Sequence, residues 1–483
     1  MNRPIRRVAV AFMVLFFALL ANVNYIQAYK ADEYNKREGN TRVLLDEYAR
    51  QRGPIVVDGT PVAYSVRTDD DLVYLRRYRD PHLYAHLTGF YSFTLGRRAI
   101  ESAQNDVLAG TDSRLFVRRV VDMITNRQPQ GGSVQLTIDP RVQQAAYEGL
   151  KGKVGAVVAL EPKTGKVLAM VSRPSYDPNK LSSHSSRSIQ KAWEELLEDP
   201  SNPWENRAAE RHYPPGSTFK LVTAAAALSS GRYEADTLVS APAELDLPLT
   251  TVNMTNWQDG LCGSSDRITL TEALATSCNT AFAAVGMDLG EDALREQAEK
   301  FGFGTTFLPE VRGVASVFPD ELNAPQLAQS SIGQFDVRAT PLQMAMVTAA
   351  IANDGKVMKP YVVESLSGPD LQTLEVTEPE VVSEAVSPQV ANALKQMMVE
   401  VVENGTGKPV KIDGIQVGGK TGTAQTTPDR PPYAWFVSFA PADDPQVAVA
   451  VVIEKANVGR SEISGGRLAA PIAKSVMEAV IGK

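Results

Sequence analysis

A serine and a lysine lie three residues apart in the segment YPPGSTFKLV, at Ser217 and Lys220. If Ser217 opens a helix, Lys220 lies one turn further along on the same face. A serine hydroxyl needs an adjacent base to become a nucleophile. A lysine can be that base when burial and nearby positive charge lower its pKa. The amino terminus of a helix also offers N–H groups that can hold an oxyanion. The alternative interpretation is that Ser217 only caps the helix.

This pair is a weak signal by itself, because a Ser-x-x-Lys spacing arises by chance about once in a chain of this size. A second pair of the same spacing is present in SRSIQK, at Ser188 and Lys191. The choice between a nucleophile and a cap therefore depends on what else the chain contains.

Two further motifs follow Ser217. TSCNT supplies a Ser-x-Asn motif at Ser277 and Asn279. GGKTGTAQ supplies Lys420, Thr421, Gly422 and Thr423. Ser277 can relay a proton between a lysine and a leaving group, and Asn279 can hydrogen-bond a substrate amide. The lysine and threonines of the third motif can bind a terminal carboxylate, and its glycine lets a substrate lie close to the strand.

Competing patterns are weaker. An earlier Lys-Thr-Gly at 163–165 lies in a predicted hairpin turn and is interpreted as structural,. A Ser-His-acid triad is not supported, because a Gly-x-Ser-x-Gly elbow is missing and every histidine precedes Ser217. These histidines are His82, His86, His184 and His212.

The length and composition describe a multidomain globular protein. The chain has 483 residues, 43% hydrophobic and 22% charged, so we expect two or three domains,. Its net charge of −7 argues against a nucleic-acid partner,.

The amino terminus differs from the rest. Residues 8–29 carry no charge and follow Arg3, Arg6 and Arg7. This pattern predicts a membrane-spanning helix within residues 1–30, with a cytoplasmic amino terminus and the remaining chain outside the cytoplasmic membrane. A cleaved signal peptide is the alternative. We find no convincing cleavage site, which favours a retained anchor.

The remaining chain predicts an α+β protein with two parts. Residues 31–140 are expected to form a small juxtamembrane domain, and 141–483 a catalytic domain. In the second part, 155–171 is a predicted hairpin and a helix is predicted from Ser217 to Gly231,. AWFVSFA and QVAVAVVIEK are predicted strands, followed by a closing helix. Strands at both ends with helices between them predict a sheet that joins the two ends.

Cys262 and Cys278 are the two cysteines of the chain. Outside the cytoplasm they are candidates for one disulfide, and two buried free thiols are the alternative. A metal site is not expected, because no histidine follows His212 to complete one.

Taken together, the three motifs are the signature of penicillin-binding proteins and class A β-lactamases. The chain resembles class B penicillin-binding proteins, in particular the short type called penicillin-binding protein A. LTIDPRVQQAA, ALEPKTGKVLAMVSRPSYDPN, TPLQMAMVTAAIANDG and WFVSFAP carry the resemblance beyond the motifs, from about residue 135 onward. Residues 52–55 and 96–110 resemble the amino-terminal module of this family more loosely.

The resemblance implies a peptidoglycan D,D-transpeptidase whose antiparallel sheet has helices on both sides. Ser217 would attack the bond between the terminal D-alanines of a stem peptide, with Lys220 as base. D-alanine would leave with a proton relayed through Ser277 and Lys420. The backbone N–H groups of Ser217 and Thr423 would form the oxyanion hole. The hydroxyls of Thr421 and Thr423 would hold the carboxylate of the donor or of a β-lactam.

The resemblance implies no metal or organic cofactor. It implies stem peptides as donor and acceptor, β-lactams as inhibitors and a separate glycan polymerase as partner, because the amino-terminal part is too short to polymerise glycan. In one respect the chain departs from the family, whose GQG is here Gly333, Gln334 and Phe335.

Three alternatives stay open at this point. A β-lactamase or a D,D-carboxypeptidase would use the same acylation site, and a scaffold or β-lactam sensor would not be catalytic. The anchor and the additional domain favour the transpeptidase over a β-lactamase. A sensor would need a cytoplasmic output domain, and a scaffold would not need the four predicted catalytic side chains.

Overall fold

The computed structural model describes residues 3–30, 34, 45, 47–125, 130–256, 260–427 and 430–482. Arg3–Tyr25 is an α-helix that continues as a short π-helix over Ile26–Lys30. Together they form 28 residues, within which an 18-residue window has a mean hydropathy of 2.1, so the segment is long and apolar enough to cross a membrane,. The α-helix buries no residue against the described part of the chain. The predicted apolar span is therefore one continuous helical segment.

The amino-terminal part is built around a six-stranded sheet. Its strand order is Thr373–Val376, Val363–Ser367, Ser133–Leu136, Ile55–Val57, Thr60–Arg67 and Tyr74–Tyr78. The central pair is parallel, with Ile55 opposite Val134, and the other pairs are antiparallel. Two strands from much later in the chain therefore complete this sheet.

A buried cluster of charges holds the amino-terminal part together. The carboxylate of Glu101 is fully buried and accepts hydrogen bonds from Arg52 Nε and Arg76 Nε, each at 2.6 Å. Tyr78 donates its hydroxyl to the same carboxylate at 3.1 Å. Burial alone would raise the pKa of Glu101, but the charges of Arg76 and Arg52 outweigh it and hold the pKa below its usual value,. Glu101 is therefore ionised in the folded protein at neutral pH.

The carboxyl-terminal part is built around a five-stranded antiparallel sheet. Its strand order is Gly418–Ala424, Tyr433–Ala440, Val447–Ala456, Lys153–Leu160 and Val167–Arg173. The predicted hairpin and the two predicted carboxyl-terminal strands are all present. The prediction that the sheet joins the two ends of the segment is confirmed.

The apolar strands of this sheet are buried on both faces. Trp435 and Val437 point into one core, whereas Phe436 and Ala434 point into the other. Because neighbouring side chains of a strand alternate between faces, a sheet covered on both sides requires uninterrupted apolar runs. Pro140–Gly149 and Ala470–Ile481 cover one face, and Pro341–Ala352 covers the other. The predicted fold class, an antiparallel sheet with helices on both sides, is confirmed.

The other elements connect these two sheets and surround the site. The further α-helices are Pro81–Thr88, Ile100–Ala103, Asn105–Leu108, Phe116–Ile124, Pro178–Leu181, Ser186–Glu198, Lys220–Ser229, Leu270–Ala275, Asn279–Leu289, Glu291–Lys300, Ala324–Ser330 and Pro388–Glu403. The further strands are Tyr91–Ser92, Gly96–Arg97, Leu238–Ser240, Glu244–Leu245, Met254–Thr255, Arg267–Thr269, Lys356–Met358 and Val381–Glu384. Single 3₁₀ turns lie at Ser113–Leu115, Gly216–Thr218, Pro309–Val311, Lys408–Val410 and Arg460–Glu462, and a π turn lies at Gly465–Ala469.

Candidate active site

Ser217 lies in a tight turn in front of a buried helix. Gly216–Thr218 forms a 3₁₀ turn, and the α-helix begins at Lys220, three residues later than the predicted start. Gly216 adopts φ +55°, and its N–H donates to Gly333 O at 2.9 Å. A positive φ is readily adopted only by glycine, so the sequence can place a turn here rather than a regular helix start. The turn leaves Ser217 half-buried and facing a cleft.

Lys220 is fully buried behind this turn. Its Nζ donates to Ser277 O at 2.7 Å and to Asn279 Oδ1 at 2.8 Å, and lies 3.4 Å from Ser277 Oγ. The hydroxyl of Ser217 is not among the partners of Lys220 Nζ in the described residues. Catalytic hydrogen bonds are often long in an enzyme without substrate and tighten when substrate binds. The structure therefore joins Lys220 to the second motif directly.

Ser277 connects the two lysines. Lys420 Nζ donates to Ser277 Oγ at 2.8 Å and to Thr421 O at 2.9 Å. Ser277 has φ +60° and lies in the short connection between the helices Leu270–Ala275 and Asn279–Leu289. A non-glycine residue with this φ is uncommon, and such residues cluster at functional sites. One hydroxyl thus lies within reach of two buried amino groups.

The environment of the two lysines favours their neutral forms. Burial lowers the pKa of Lys220 well below its ordinary value, and the charge of Lys420 lowers it further,. Burial lowers the pKa of Lys420 to about 7. A neutral amine is therefore available near Ser277 at physiological pH, as a general base requires.

Asn279 is held at both ends of its side-chain amide. Its Oδ1 accepts from Lys220, and its Nδ2 donates to Thr255 O at 3.1 Å. We predicted from the sequence that this residue binds a substrate amide. Oδ1 retains a second lone pair for that purpose, while its orientation is already fixed by protein groups.

The third motif forms the edge strand of the five-stranded sheet, Gly418–Ala424. Thr421 Oγ1 lies 2.7 Å from Thr406 Oγ1. A side chain at Gly422 would place Cβ 2.9 Å from Trp435 Cβ and 3.0 Å from Thr218 Cγ2. Glycine is therefore required where the strand packs against the turn that carries Ser217, in addition to any contact with substrate.

A cleft of 680 Å³ brings the motifs together. Its lining includes Ser217, Ser277, Asn279, Thr421 and Thr423 from the predicted set. Lys220, Lys420 and Gly422 lie behind this surface and are buried. The three predicted motifs, separated by up to about 200 residues of chain, thus meet at one place.

The lining also includes side chains that sequence reasoning missed. These are Thr255, Gln329, Thr406, Glu462 and Arg467, among others, and the lining also includes Gln334 from the segment that departs from the family pattern. The next residue, Phe335, replaces the glycine of the family pattern, and it adopts φ +57°. Thr406 lies in a glycine-containing turn, ENGTGK, a pattern that gives no signal of function.

The two cysteines form a disulfide, with Cys262 Sγ and Cys278 Sγ 2.07 Å apart, and Cys278 is the middle residue of the second motif. Cys278 is buried and lies at the N-cap position, directly before the helix Asn279–Leu289.

The second Ser-x-x-Lys pair and the earlier Lys-Thr-Gly lie away from the cleft. Ser188 and Lys191 are exposed on the helix Ser186–Glu198, where Lys191 lies 3.9 Å from Glu195. The earlier Lys-Thr-Gly forms the predicted hairpin turn, and its Lys163 pairs with Asp444 at 2.6 Å. Neither of these two patterns lines the cleft.

The fold and the site together define an enzyme class, serine acyltransferases with a Ser-x-x-Lys nucleophile motif. Residues 155–478 match the family model described as penicillin binding protein transpeptidase domain, and residues 52–134 match the penicillin binding protein A dimerisation domain. The chain therefore belongs to the class B penicillin-binding protein transpeptidases, and the resemblance seen in the sequence is confirmed.

Individual relatives match over the full chain. It is 48% identical over 491 residues to peptidoglycan D,D-transpeptidase PbpA of Mycolicibacterium smegmatis, covering 100% of this chain and 99% of that protein. It is 45% identical over 493 residues to PbpA of Mycobacterium tuberculosis, with the same coverage. The crystal structure of penicillin-binding protein A from M. tuberculosis is similar with a TM-score of 0.86 at 44% identity, covering 90% of this chain and 100% of that one. The penicillin G acyl-enzyme complex of that protein matches with a TM-score of 0.85 at 44% identity, covering 89% and 100%.

Proposed function

We propose that this chain is a peptidoglycan D,D-transpeptidase that cross-links stem peptides through an acyl-enzyme on Ser217. The observation that carries the proposal is the junction at Ser277 Oγ, which lies 2.8 Å from Lys420 Nζ and 3.4 Å from Lys220 Nζ beside the cleft that Ser217 lines. The relatives' activity and the penicillin G acyl-enzyme of one of them support the same chemistry.

In the proposed acylation, Ser217 Oγ forms a bond to the carbonyl carbon between the terminal D-alanines of a donor peptide. Neutral Lys220 accepts the hydroxyl proton, and the backbone N–H groups of Ser217 and Thr423 stabilise the oxyanion. The bond to the terminal D-alanine breaks, and a proton passes through Ser277 to its nitrogen, with Lys420 beside the path. The lowered pKa of Lys220 supports its role as base at neutral pH.

In the second half of the reaction, an amine from a neighbouring stem peptide attacks the ester carbonyl. The amine loses a proton, the ester bond to Ser217 Oγ breaks as that oxygen regains a proton, and the new amide bond joins the two peptides. A carboxypeptidase would use water in place of this amine, and a β-lactamase would hydrolyse its acyl-enzyme rapidly.

The donor's terminal carboxylate is proposed to bind the hydroxyls of Thr421 and Thr423. Thr406, whose hydroxyl contacts that of Thr421, orients this group. Lys420 is a buried residue of the same strand and adds electrostatic attraction for the carboxylate when the lysine is protonated,. A β-lactam carboxylate would occupy the same position.

The proposed setting is the outer side of the cytoplasmic membrane. The apolar helix Arg3–Tyr25 is proposed to cross the membrane with its amino terminus inside, since Arg3, Arg6 and Arg7 precede the apolar run,. Residues 31–140 would form a juxtamembrane module and 141–483 the catalytic domain. A separate glycan polymerase is proposed as partner.

Protease added outside intact spheroplasts should digest the catalytic domain, and full protection would contradict the proposed orientation in the membrane.

The test of the reaction is intact-mass analysis of the full chain in detergent after brief exposure to benzylpenicillin. A stable adduct of one penicillin is expected on the wild type and on the control Ser188→Ala, but not on Ser217→Ala. Rapid loss of the adduct would indicate a β-lactamase. No adduct on the wild type would overturn Ser217 as a nucleophile and leave the non-catalytic scaffold.

A further inference from the structure

A buried asparagine outside the three motifs contacts the second one. Asn256 directly follows the strand Met254–Thr255, and 7% of its surface is exposed. It does not line the cleft, and no step of the proposed reaction uses it. Its side chain nevertheless lies against the beginning of the helix Asn279–Leu289.

Every polar atom of this side chain is engaged. Asn256 Oδ1 accepts from the N–H of Asn279 at 3.0 Å and from the N–H of Thr280 at 3.1 Å. Asn256 Nδ2 donates to Pro242 O at 3.1 Å and to Gly260 O at 3.0 Å. These contacts use both donor hydrogens and leave the amide no freedom to turn around.

Asn256 thereby caps a helix from a distant part of the chain. The first N–H groups of a helix need acceptors, which a side chain at the N-cap position usually supplies. Here that position is Cys278, whose side chain makes no such hydrogen bond and offers only sulfur, a weak acceptor,. Asn256, twenty-two residues earlier than Cys278, supplies the acceptor instead.

The same segment also orients the Asn279 side chain. The carbonyl of Thr255, the neighbour of Asn256, accepts from Asn279 Nδ2 at 3.1 Å. This leaves Asn279 Oδ1 directed at Lys220 Nζ, 2.8 Å away. Two adjacent residues, Thr255 and Asn256, therefore hold the backbone and the side chain of Asn279.

We propose that Asn256 is a positioning residue for the reaction. Asn256 acts on Lys220 through Asn279. Its amide fixes the start of the helix, so that the side-chain Oδ1 of Asn279 keeps its place beside the Lys220 amine. The inference rests on the proposed function, because it assumes that Lys220 takes the proton of Ser217. Small displacements of positioned groups can slow a reaction by about 10²-fold.

The test is a double-mutant cycle on the full chain in detergent, with the rate of benzylpenicillin acylation followed by intact mass. Asn256→Ala is expected to slow acylation about 10- to 100-fold. The double variant with Asn279→Ala should be no slower than Asn279→Ala alone, because both substitutions remove one linked function. Loss of general stability would instead give effects that multiply.

Asn206→Ala is the matched control. Asn206 is as buried as Asn256, accepts from the N–H of Ala208 at 3.2 Å and does not line the cleft. We expect this variant to lose stability and to acylate at nearly the wild-type rate. If Asn256→Ala does not fold, Asn256→Leu replaces it in the cycle, because leucine fills a similar volume and removes the acceptor and both donors.

Two results would overturn the inference. One is acylation of Asn256→Ala at the wild-type rate, and the other is a double variant in which the two effects multiply. A wild-type protein that forms no adduct would instead overturn the proposed function, so the two failures are distinguishable.

Discussion

Replacing Lys420 by methionine is expected to stabilise the folded protein while it removes activity. Lys420 is fully buried, and burial lowers the pKa of its ammonium group from 10.5 to about 7. This difference corresponds to about 5 kcal/mol of folding free energy that opposes the charged form. Methionine has a similar length and carries no charge, so the variant avoids this cost.

The hydrogen bonds of Lys420 reduce the gain. Its Nζ donates to Ser277 Oγ and Thr421 O, and a lost bond costs about 1 to 1.5 kcal/mol,. The variant Lys420→Met should therefore be about 2 kcal/mol more stable than the wild type at pH 7. Its acylation rate should fall by about 10²-fold or more, because the proton path loses a member.

The pH dependence gives the sign of the effect. A lysine with a lowered pKa releases its proton on folding, so the wild type gains stability as the pH rises from about 7 to 10.5,. Lys420→Met lacks this slope. Its advantage should be largest at and below pH 7 and should disappear at alkaline pH, where only the lost hydrogen bonds remain.

Urea unfolding of the full chain in detergent, followed by tryptophan fluorescence at pH 7 and pH 9, measures this difference. Lys191→Met, at an exposed lysine, is the control and should change the free energy of unfolding by less than about 0.5 kcal/mol at either pH,. The reasoning is refuted if Lys420→Met is less stable than the wild type at pH 7. A stability difference that is equal at pH 7 and pH 9 would refute it as well.

Three further predictions concern the charge cluster of the amino-terminal part and the surroundings of the site. Glu101→Gln should lower the free energy of unfolding by about 3 to 5 kcal/mol, because two buried arginines lose their counter-charge,. Urea unfolding at pH 7 would show it, and an unchanged midpoint would contradict it. Gly333→Ala should slow penicillin acylation, since its Cβ would lie 2.3 Å from Gly216 O in the turn that carries Ser217. Acylation at the wild-type rate would contradict that. Confirmed reduction of the disulfide between Cys262 and Cys278 should destabilise the protein by about 3 kcal/mol, from the loop that it closes, and should weaken acylation,. Unchanged melting and acylation kinetics would refute this prediction.

The parts of the fold with local signals could be predicted from the sequence. The hairpin between Lys153–Leu160 and Val167–Arg173 follows from two apolar runs and a turn,. The helix behind Ser217 follows from an alanine-rich segment between prolines and a glycine,. The three motifs identified the residues around Ser277 because each motif is a short run of residues that can be recognised in the sequence before the fold is known.

Features made by distant contacts could not be predicted. Thr406 reaches Thr421 from a turn whose composition is ordinary, and Asn256 reaches the helix Asn279–Leu289 from a segment without periodicity. The membership of Val363–Ser367 in the amino-terminal sheet had no local signal either. Short apolar periodicity predicts that a strand exists, but the partner of a strand depends on the whole topology.

The shared sheet has a consequence for how the molecule moves. The chain enters the amino-terminal sheet at Ile55–Val57 and again at Val363–Ser367, so the two parts of the protein are connected at separate points. A hinge needs a short flexible connection that can absorb rotation. Rotation here would break the ladder between Val363–Ser367 and Ser133–Leu136. The cleft should therefore turn together with the amino-terminal sheet as one rigid body, so rotation of one part against the other cannot re-orient the cleft toward a substrate strand.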